Sequence, residues 1–165
     1  LFFMDTDKAD RVKKAKELDS IFRSIMVDGH KLVRAERCTL WLYDKQNGEL
    51  WSRVATGTKK GDILRIPSNT GVAGAVVTEG QSINIPDAYK DDRFNPKVDK
   101  ETGYKTRSIL AFPIRSDDGE VIGCIQMINK QNEDLTDGVF DSHDEKMLTM
   151  LSSHVNSFKK IVEGK

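Results

Sequence analysis

Two glycines mark the segment with the clearest chemical potential. Gly71 and Gly74 open a run of small apolar residues, which predicts a short helix over 71–77. A helix begins with unpaired backbone N–H groups and the positive end of its dipole, and both attract an anion such as a phosphate. A Gly-x-x-Gly pattern before a helix more often serves packing than ligand binding, so this pattern alone is weak.

Catalytic and metal-binding patterns are not evident. Cys38 and Cys124 lie in apolar runs typical of strands, without a further Cys or His at metal-ligand spacing. The three histidines, His30, His143 and His154, have no acidic partner at the spacing of a catalytic pair. We therefore predict a non-enzymatic domain with no catalytic residue, metal or cofactor, in a reducing cytoplasmic setting.

The polar segment over 86–106 is rich in Asp, Pro and Gly and has no sustained periodicity. A loop of that length in a small domain is usually functional. It lies between two strand-like runs, where it could cover a bound molecule.

The remaining elements must position these segments. Apolar spacing predicts an amphipathic helix within 12–33, and Ser142 and Glu145 stand at capping-box spacing before a second long helix. The strand-like runs are 38–43, 49–56, 63–66, 82–85, 108–114 and 121–130. This order predicts an α+β sandwich: an antiparallel sheet with the terminal helices on one face, and the short helix and long loop enclosing a pocket on the other.

Length and charge limit the class of partner. The chain has 165 residues, the usual size of one domain, and its 26 basic and 26 acidic residues give no net charge. This balance argues against a protein that follows nucleic acid or an anionic membrane. Charged, helix-favouring sequence at both ends predicts one domain over 1–165 with helical linkers, and no run is long enough to cross a bilayer.

A motif that resembles a known family begins at the end of the last strand-like run. The signature consists of Asn129, Lys130, Phe140, Asp144 and Glu145, and it resembles the signature of cyclic-nucleotide-binding GAF domains in phosphodiesterases and adenylyl cyclases. The likeness extends over about 18–161. It implies a six-stranded antiparallel sheet whose pocket encloses a cyclic nucleotide, and a Lys130–Asp144 pair that holds the pocket without touching the ligand.

The resemblance also implies ligand-binding positions. These are Arg37 and Thr39 at the base edge, Ala55 and Thr56 beside the purine, Val72 and Ala73 at the phosphate, Asp99, Thr102 and Thr106 at ribose and base, and Gln126 on a pocket-facing strand. Asn95 stands near the phosphate, where some relatives have a tyrosine. Ala55 is smaller than the aromatic residue that others place beside the purine.

These positions imply a regulatory module that binds cAMP or cGMP and acts allosterically on an attached phosphodiesterase or cyclase. Arg37, Thr39 and Gln126 resemble the cAMP-binding members slightly more. The alternative is a GAF domain that only dimerises, and a homodimer through the terminal helices is expected in either case. A methionine sulfoxide reductase needs pocket cysteines and a tetrapyrrole sensor a loop cysteine, and neither Cys38 nor Cys124 has such a position.

Overall fold

The computed structural model describes residues 2–57 and 63–164, with side chains from Thr6 onward. The helices are α1 (Phe2–Leu32), α2 (Gly71–Glu79), α3 (Lys97–Thr102) and α4 (Ser142–Glu163), with a short 3-10 turn at Ala88–Lys90. The strands are β1 (Ala35–Asp44), β2 (Glu49–Ala55), β3 (Arg65–Pro67), β4 (Ile83–Ile85), β5 (Ile109–Arg115) and β6 (Val121–Lys130).

All six strands form one sheet in the order β3-β2-β1-β6-β5-β4, and every neighbouring pair is antiparallel. The longest strands, β1 and β6, lie together at its centre. The predicted α+β sandwich with a six-stranded antiparallel sheet is therefore confirmed.

Side chains alternate between the two faces of the sheet and build two separate cores. Cys38 and Leu40 on β1 belong to the core beneath α1 and α4, whereas Trp41 belongs to the core beneath α2. We call these the terminal-helix face and the α2 face. On β6, Ile125 lies on the terminal-helix face and Cys124 lies on the α2 face. Because the side-chain period of a strand is two, each central strand serves both cores.

The terminal helices pack side by side on one face of the sheet. Phe22 and Met26 of α1 are fully buried, as are Leu148 and Val155 of α4. Gly29 permits the close approach, since a Cβ there would lie 2.8 Å from Cδ1 of Leu151. No described helix has an apolar stretch that could cross a bilayer.

The start of α4 differs from the predicted capping box. Asp141 is the N-cap, and its carboxylate accepts a hydrogen bond from Asp144 N, while Asp144 Oδ2 accepts one from Asp141 N, both at 2.9 Å. The prediction of Ser142 and Glu145 was thus one residue late. A carboxylate accepts an N–H more strongly than a hydroxyl does, which favours the Asp pair over the Ser–Glu pair.

The polar segment contains a helix that the sequence pattern did not predict. Asn95 Oδ1 accepts from Lys97 N at 3.0 Å at the start of α3, and Gly103 ends it with a φ of 76°. Six residues are too few to show helical periodicity.

The strand predicted over 63–66 is displaced in the structure. Ile63 and Leu64 are exposed, and pairing with β2 begins at Arg65. Residues 58–62 lie outside the described residues.

Candidate functional site

Three of the predicted ligand residues lie in one row across the sheet. Thr39 pairs with Ala55 on one side and with Gln126 on the other, and Gln126 pairs in turn with Ala111. Ala111 belongs to the α2-face core, and strand alternation places the other three on the same face. A small side chain, a hydroxyl and an amide thus lie side by side at the centre of this face.

Helix α2 covers this part of the sheet. It packs against β5 and β6, and Val72 and Ala73 in its first turn are both 3% exposed. Thr70, the N-cap, directs its hydroxyl to Pro67 O at 2.8 Å, so its side chain does not cap the first N–H groups of α2. Gly74 has a packing role, because a Cβ there would lie 2.8 Å from Ser68 O.

Trp41 is a site residue that sequence reasoning missed. Its indole Nε1 donates a hydrogen bond to Gln126 Oε1 at 2.8 Å, and its ring is buried in the α2-face core. Strand alternation offered a signal, since Trp41 follows Thr39 by two residues and shares its face.

The polar segment over 86–106 is held by the carboxylate of Asp99, which is 6% exposed. Thr106 donates to it twice at 2.8 Å, from its backbone N–H to Oδ2 and from its hydroxyl to Oδ1. Tyr89 donates its hydroxyl to Oδ2 at 2.7 Å, and this bond raises the pKa of Tyr89. The structure therefore brings the predicted ligand residues Asp99 and Thr106 together, with Tyr89 as a third partner.

Arg37 connects the sheet with the end of this segment. Its guanidinium carbon lies 3.7 Å from the ring centre of Tyr104, a cation–π contact. The Tyr104 hydroxyl donates to Glu36 Oε1 at 3.0 Å, and Asn129 Nδ2 donates to the Tyr104 hydroxyl at 2.9 Å. Burial, reinforced by the bond to Glu36, raises the pKa of Tyr104 to about 12. Gly57, with a φ of 81°, leaves the space that Arg37 occupies.

The other predicted ligand residues make local bonds. Thr56 accepts from Cys38 N at 2.9 Å, at the end of the β1–β2 pair. Thr102 is exposed and donates to Val98 O at 2.7 Å, whereas Asn95 is exposed at the start of α3. The structure does not bring these three side chains to the row on the sheet.

A cleft of about 860 Å³ lies beside the polar segment. This volume falls within the roughly 300–1,000 Å³ of small-molecule sites. Of the predicted ligand residues, only Asp99 and Thr106 line it; Tyr89, Tyr104 and Arg107 are among the other lining residues. Apart from Thr56, Thr102 and Asn95, the predicted residues thus form two groups, one beneath α2 and one at this cleft, and the Arg37–Tyr104 contact connects them.

Asn129 fixes the same end of the segment. It has a φ of 61°, and its Oδ1 accepts from Arg107 N at 2.6 Å and from Ser108 N at 3.3 Å. Its Nδ2 donates to Lys105 O at 2.9 Å. One side chain therefore determines where the segment rejoins the sheet at β5.

The other four signature residues lie at the end of β6 and around the start of α4. Lys130 Nζ donates to Asp144 and to Val33 O, and Phe140 is buried in the terminal-helix core. Asn84 Nδ2 donates to Phe140 O at 2.8 Å and approaches Glu145 Oε1 at 3.5 Å. These contacts are internal to the fold.

The signature and the fold agree with a comparison of the whole sequence. The GAF domain family model matches residues 17–157. This chain belongs to the GAF domain family. The match covers the sheet, about half of α1 and most of α4, so the family resemblance seen in the sequence is confirmed.

The GAF domain is similar to segments of larger proteins. It is 37% identical to dual 3',5'-cyclic-AMP and -GMP phosphodiesterase 11A of Takifugu rubripes, over 90% of this chain and 17% of the relative. It is 38% identical to probable 3',5'-cyclic phosphodiesterase pde-5 of Caenorhabditis elegans, over 78% of this chain and 18% of the relative. The chain thus spans less than a fifth of the length of these curated relatives.

Solved structures share the fold of this GAF domain. The GAF domain of a phosphoenolpyruvate-protein phosphotransferase from Coxiella burnetii superposes with a TM-score of 0.76 at 19% identity, over 94% of this chain and 96% of that chain. The type II free methionine-R-sulfoxide reductase of Thermoplasma acidophilum superposes with a TM-score of 0.65 at 18% identity, over 88% of this chain and 96% of that chain. Identities this low show the fold alone.

The cysteines of this GAF domain have the properties of core residues. Both are unpaired and buried, and burial raises the pKa of the Cys38 thiol to about 11 and also raises that of Cys124. A raised pKa disfavours the thiolate that reductase chemistry needs.

The described residues contain one cluster with metal-ligand types, Asp141, His143 and Asp144. Its carboxylates accept the capping hydrogen bonds at the start of α4, and that of Asp144 also accepts from Lys130. The arrangement of this cluster is therefore explained by helix capping.

Proposed function

We propose that this GAF domain is a regulatory module that binds a cyclic nucleotide and acts allosterically on an attached output domain, such as a cyclic-nucleotide phosphodiesterase or adenylyl cyclase. The observation that carries the proposal is the row of Ala55, Thr39 and Gln126 beneath α2. The names of the relatives, which are cyclic-nucleotide phosphodiesterases, support the ligand class.

The chemistry of the site matches the parts of the ligand. A cyclic nucleotide has a flat purine, a ribose and one delocalised negative charge. Thr39, Gln126 and Arg37 offer polar groups to the base, and Ala55 and Thr56 lie at its edge. The first N–H groups of α2, at Val72 and Ala73, receive no side-chain cap and suit the phosphate.

The polar segment supplies the remaining contacts when the nucleotide is bound. Asp99 and Thr106 bind the ribose and base, and Thr102 and Asn95 join them when the polar segment, which includes α3, closes over the nucleotide. Thr102 and Asn95 are exposed in the structure, so neither side chain has to leave the core to reach the ligand.

Nucleotide binding reaches the terminal helices through the central strands. Thr39 and Gln126 lie on the α2 face, while their neighbours Leu40 and Ile125 pack beneath α1 and α4. A ligand with different affinities for two positions of the polar segment shifts the equilibrium between them. We infer a non-catalytic role in a cytoplasmic, reducing setting, which the two buried, unpaired cysteines support.

The test is isothermal titration of the purified domain with cAMP and with cGMP, after absorbance and mass spectrometry show that no nucleotide was carried through purification. We expect saturable binding of both, with cAMP slightly tighter. Arg37→Met should weaken binding. Arg53→Met is the matched control, because Arg53 pairs with Asp19 of α1 on the terminal-helix side.

The second candidate is dimerisation without a ligand. Apolar side chains on α4 support it, since Met150 is 56% exposed and Ile161 is 74% exposed. A homodimer through the terminal helices would bury them. Failure of an empty, folded domain to bind either nucleotide, together with a dimer in analytical ultracentrifugation that Ile161→Glu dissociates, would favour this candidate over the first.

A further inference from the structure

The hydrogen bond between Trp41 and Gln126 determines which way the Gln126 amide faces. An indole N–H is a donor and has no acceptor, so only the amide oxygen of Gln126 can face it. The 2.8 Å distance from Trp41 Nε1 to Gln126 Oε1 has this orientation. Trp41 is itself held in the α2-face core, where only 7% of it is exposed.

The other end of the amide is available to a ligand. Among the described residues, none accepts a hydrogen bond from Gln126 Nε2, and the side chain is half-buried on the α2 face. Its two N–H donors lie in the row with Thr39, beneath the helix that covers the site. With the amide oxygen turned to Trp41, Gln126 offers donors rather than an acceptor.

We propose that Trp41 is a positioning residue that sets the purine preference of this site by holding Gln126 as a hydrogen-bond donor. This inference rests on the proposed function. Adenine presents the N1 acceptor at its pairing edge, which matches a donor. Guanine presents donors at N1 and N2, so it can engage Gln126 only through O6 or N7 and leaves N1–H without an acceptor there. An unpaired buried polar group is costly, so the arrangement favours adenine.

Trp41→Phe tests the inference with the smallest change. Phenylalanine keeps an aromatic ring in the core but lacks the N–H, so the Gln126 amide is free to turn its oxygen toward guanine. We expect the preference for cAMP to be lost, so that the ratio of the cGMP to the cAMP dissociation constant falls to about one or below. Trp51→Phe is the matched control, because the Trp51 ring stacks on Arg65 and its Nε1 has no partner among the described residues. That ratio should not change.

Gln126→Glu distinguishes an effect on the orientation of the Gln126 amide from an effect on the packing of the Trp41 ring. A carboxylate has acceptor oxygens at both positions, so it can accept from Trp41 and from guanine at once. The Gln126→Glu variant should shift the preference toward cGMP. The double variant with Trp41→Phe should have the same ratio of the cGMP to the cAMP dissociation constant as Gln126→Glu alone. An equal effect of Trp41→Phe in both backgrounds would mean that it acts through packing and would overturn the inference.

Nuclear magnetic resonance of the nucleotide-free protein gives a second measurement. The side-chain amide signals of Gln126, assigned by their loss in Gln126→Glu, should shift in Trp41→Phe and stay in place in Trp51→Phe. Unchanged amide signals, or nucleotide binding with an unchanged ratio in Trp41→Phe, would overturn this inference alone. Failure of both nucleotides to bind the empty, folded wild type would overturn the proposed function as well.

Discussion

Lys130 Nζ lies 2.8 Å from both carboxylate oxygens of Asp144, and the two side chains are only 13% and 4% exposed. The same ammonium group donates to Val33 O, just beyond the end of α1. One buried cation therefore joins the end of β6, the end of α1 and the start of α4. The pair thus fixes both terminal helices to the same face of the sheet.

Removal of Lys130 should strongly destabilise the fold. Lys130→Met leaves Asp144 buried without its cation, and breaking a buried pair in this way costs about 3–5 kcal/mol. We expect a loss of that size in the free energy of unfolding, measured by urea denaturation. Replacing both members, as in Lys130→Met with Asp144→Leu, should restore part of it because no unpaired charge remains.

The control for this pair is Lys159→Met. Lys159 lies 2.7 Å from Glu163 on the outside of α4, where the two side chains are 30% and 36% exposed. Ion pairs on the surface contribute only about 0–1 kcal/mol. A Lys130→Met variant that loses no more stability than Lys159→Met would contradict the structural role assigned to the buried pair.

Because of the N-cap of α4, part of the free energy of unfolding should change with pH in the acid range. The hydrogen bond from Asp144 N, with help from nearby Lys130, lowers the pKa of Asp141 from its ordinary value of 3.8. Because the folded pKa is the lower one, this stabilisation is complete above pH 3.8 and is lost as pH falls through the folded pKa. Asn also caps helices well, so Asp141→Asn should stay stable at neutral pH.

The measurement is thermal unfolding of wild type and Asp141→Asn at a series of pH values. The difference in stability between them should be constant at neutral pH and shrink once the pH falls below 3.8. A difference that stays the same throughout the acid range would show that the Asp141 carboxylate does not contribute in this way.

Thr106→Ala should weaken nucleotide binding while the fold remains. The change removes the hydroxyl that donates to Asp99 Oδ1 but keeps the backbone N–H bond to Oδ2. The hydroxyl proposed to contact the nucleotide is lost as well, and one such hydrogen bond contributes about 0.5–1.5 kcal/mol, which predicts an affinity about two- to tenfold lower by calorimetry. Hydrogen exchange at 103–106 should also become faster.

Thr149→Ala is the control for Thr106. The Thr149 hydroxyl donates to Glu145 O on the exposed side of α4, away from the polar segment. Its replacement should leave affinity unchanged. Equal affinity in wild type and Thr106→Ala would show that the segment over 86–106 does not hold the nucleotide as proposed.

Tyr104 should make stability fall at alkaline pH. Its pKa is raised from 10.0 to about 12 in the folded chain, so the folded state keeps its proton over a range where the unfolded state loses it. Stability is therefore complete below pH 10 and decreases as pH rises toward about 12. Tyr104→Phe should show a smaller decrease in chemical denaturation at each pH. Identical alkaline profiles for the two proteins would contradict a half-buried Tyr104 hydroxyl that is bonded to Glu36.

Local patterns predicted the architecture because each strand and terminal helix has its own periodicity. The order of helices and strands was enough to predict which elements lie on each face, and turn residues defined both long hairpins. Capping was predicted one residue late because Asp141-Ser142-His143-Asp144-Glu145 contains two overlapping boxes. The competition between them depends on carboxylate strength rather than spacing.

The polar contacts of the site were harder to predict because they join residues far apart in the chain. Trp41 and Gln126 are separated by 85 positions, and Tyr104 and Glu36 by 68. Such partners depend on strand register and on the path of the 86–106 segment, which has no periodicity. The family resemblance supplied Asp99 and Thr106, but it did not supply Tyr89, Trp41 or Tyr104.

Helix α1 extends well past the core to which it is anchored. Its described side chains from Thr6 to Glu17 are all exposed, and the first buried one is Leu18. At 1.5 Å per residue, the part from Phe2 to Glu17 is about 24 Å long. A tilt of about 5° at Leu18 would therefore carry the far end about 2 Å, given that rise per residue. Under the regulatory function proposed above, α1 is a lever arm whose far end moves farther than the sheet residues against which Leu18 packs.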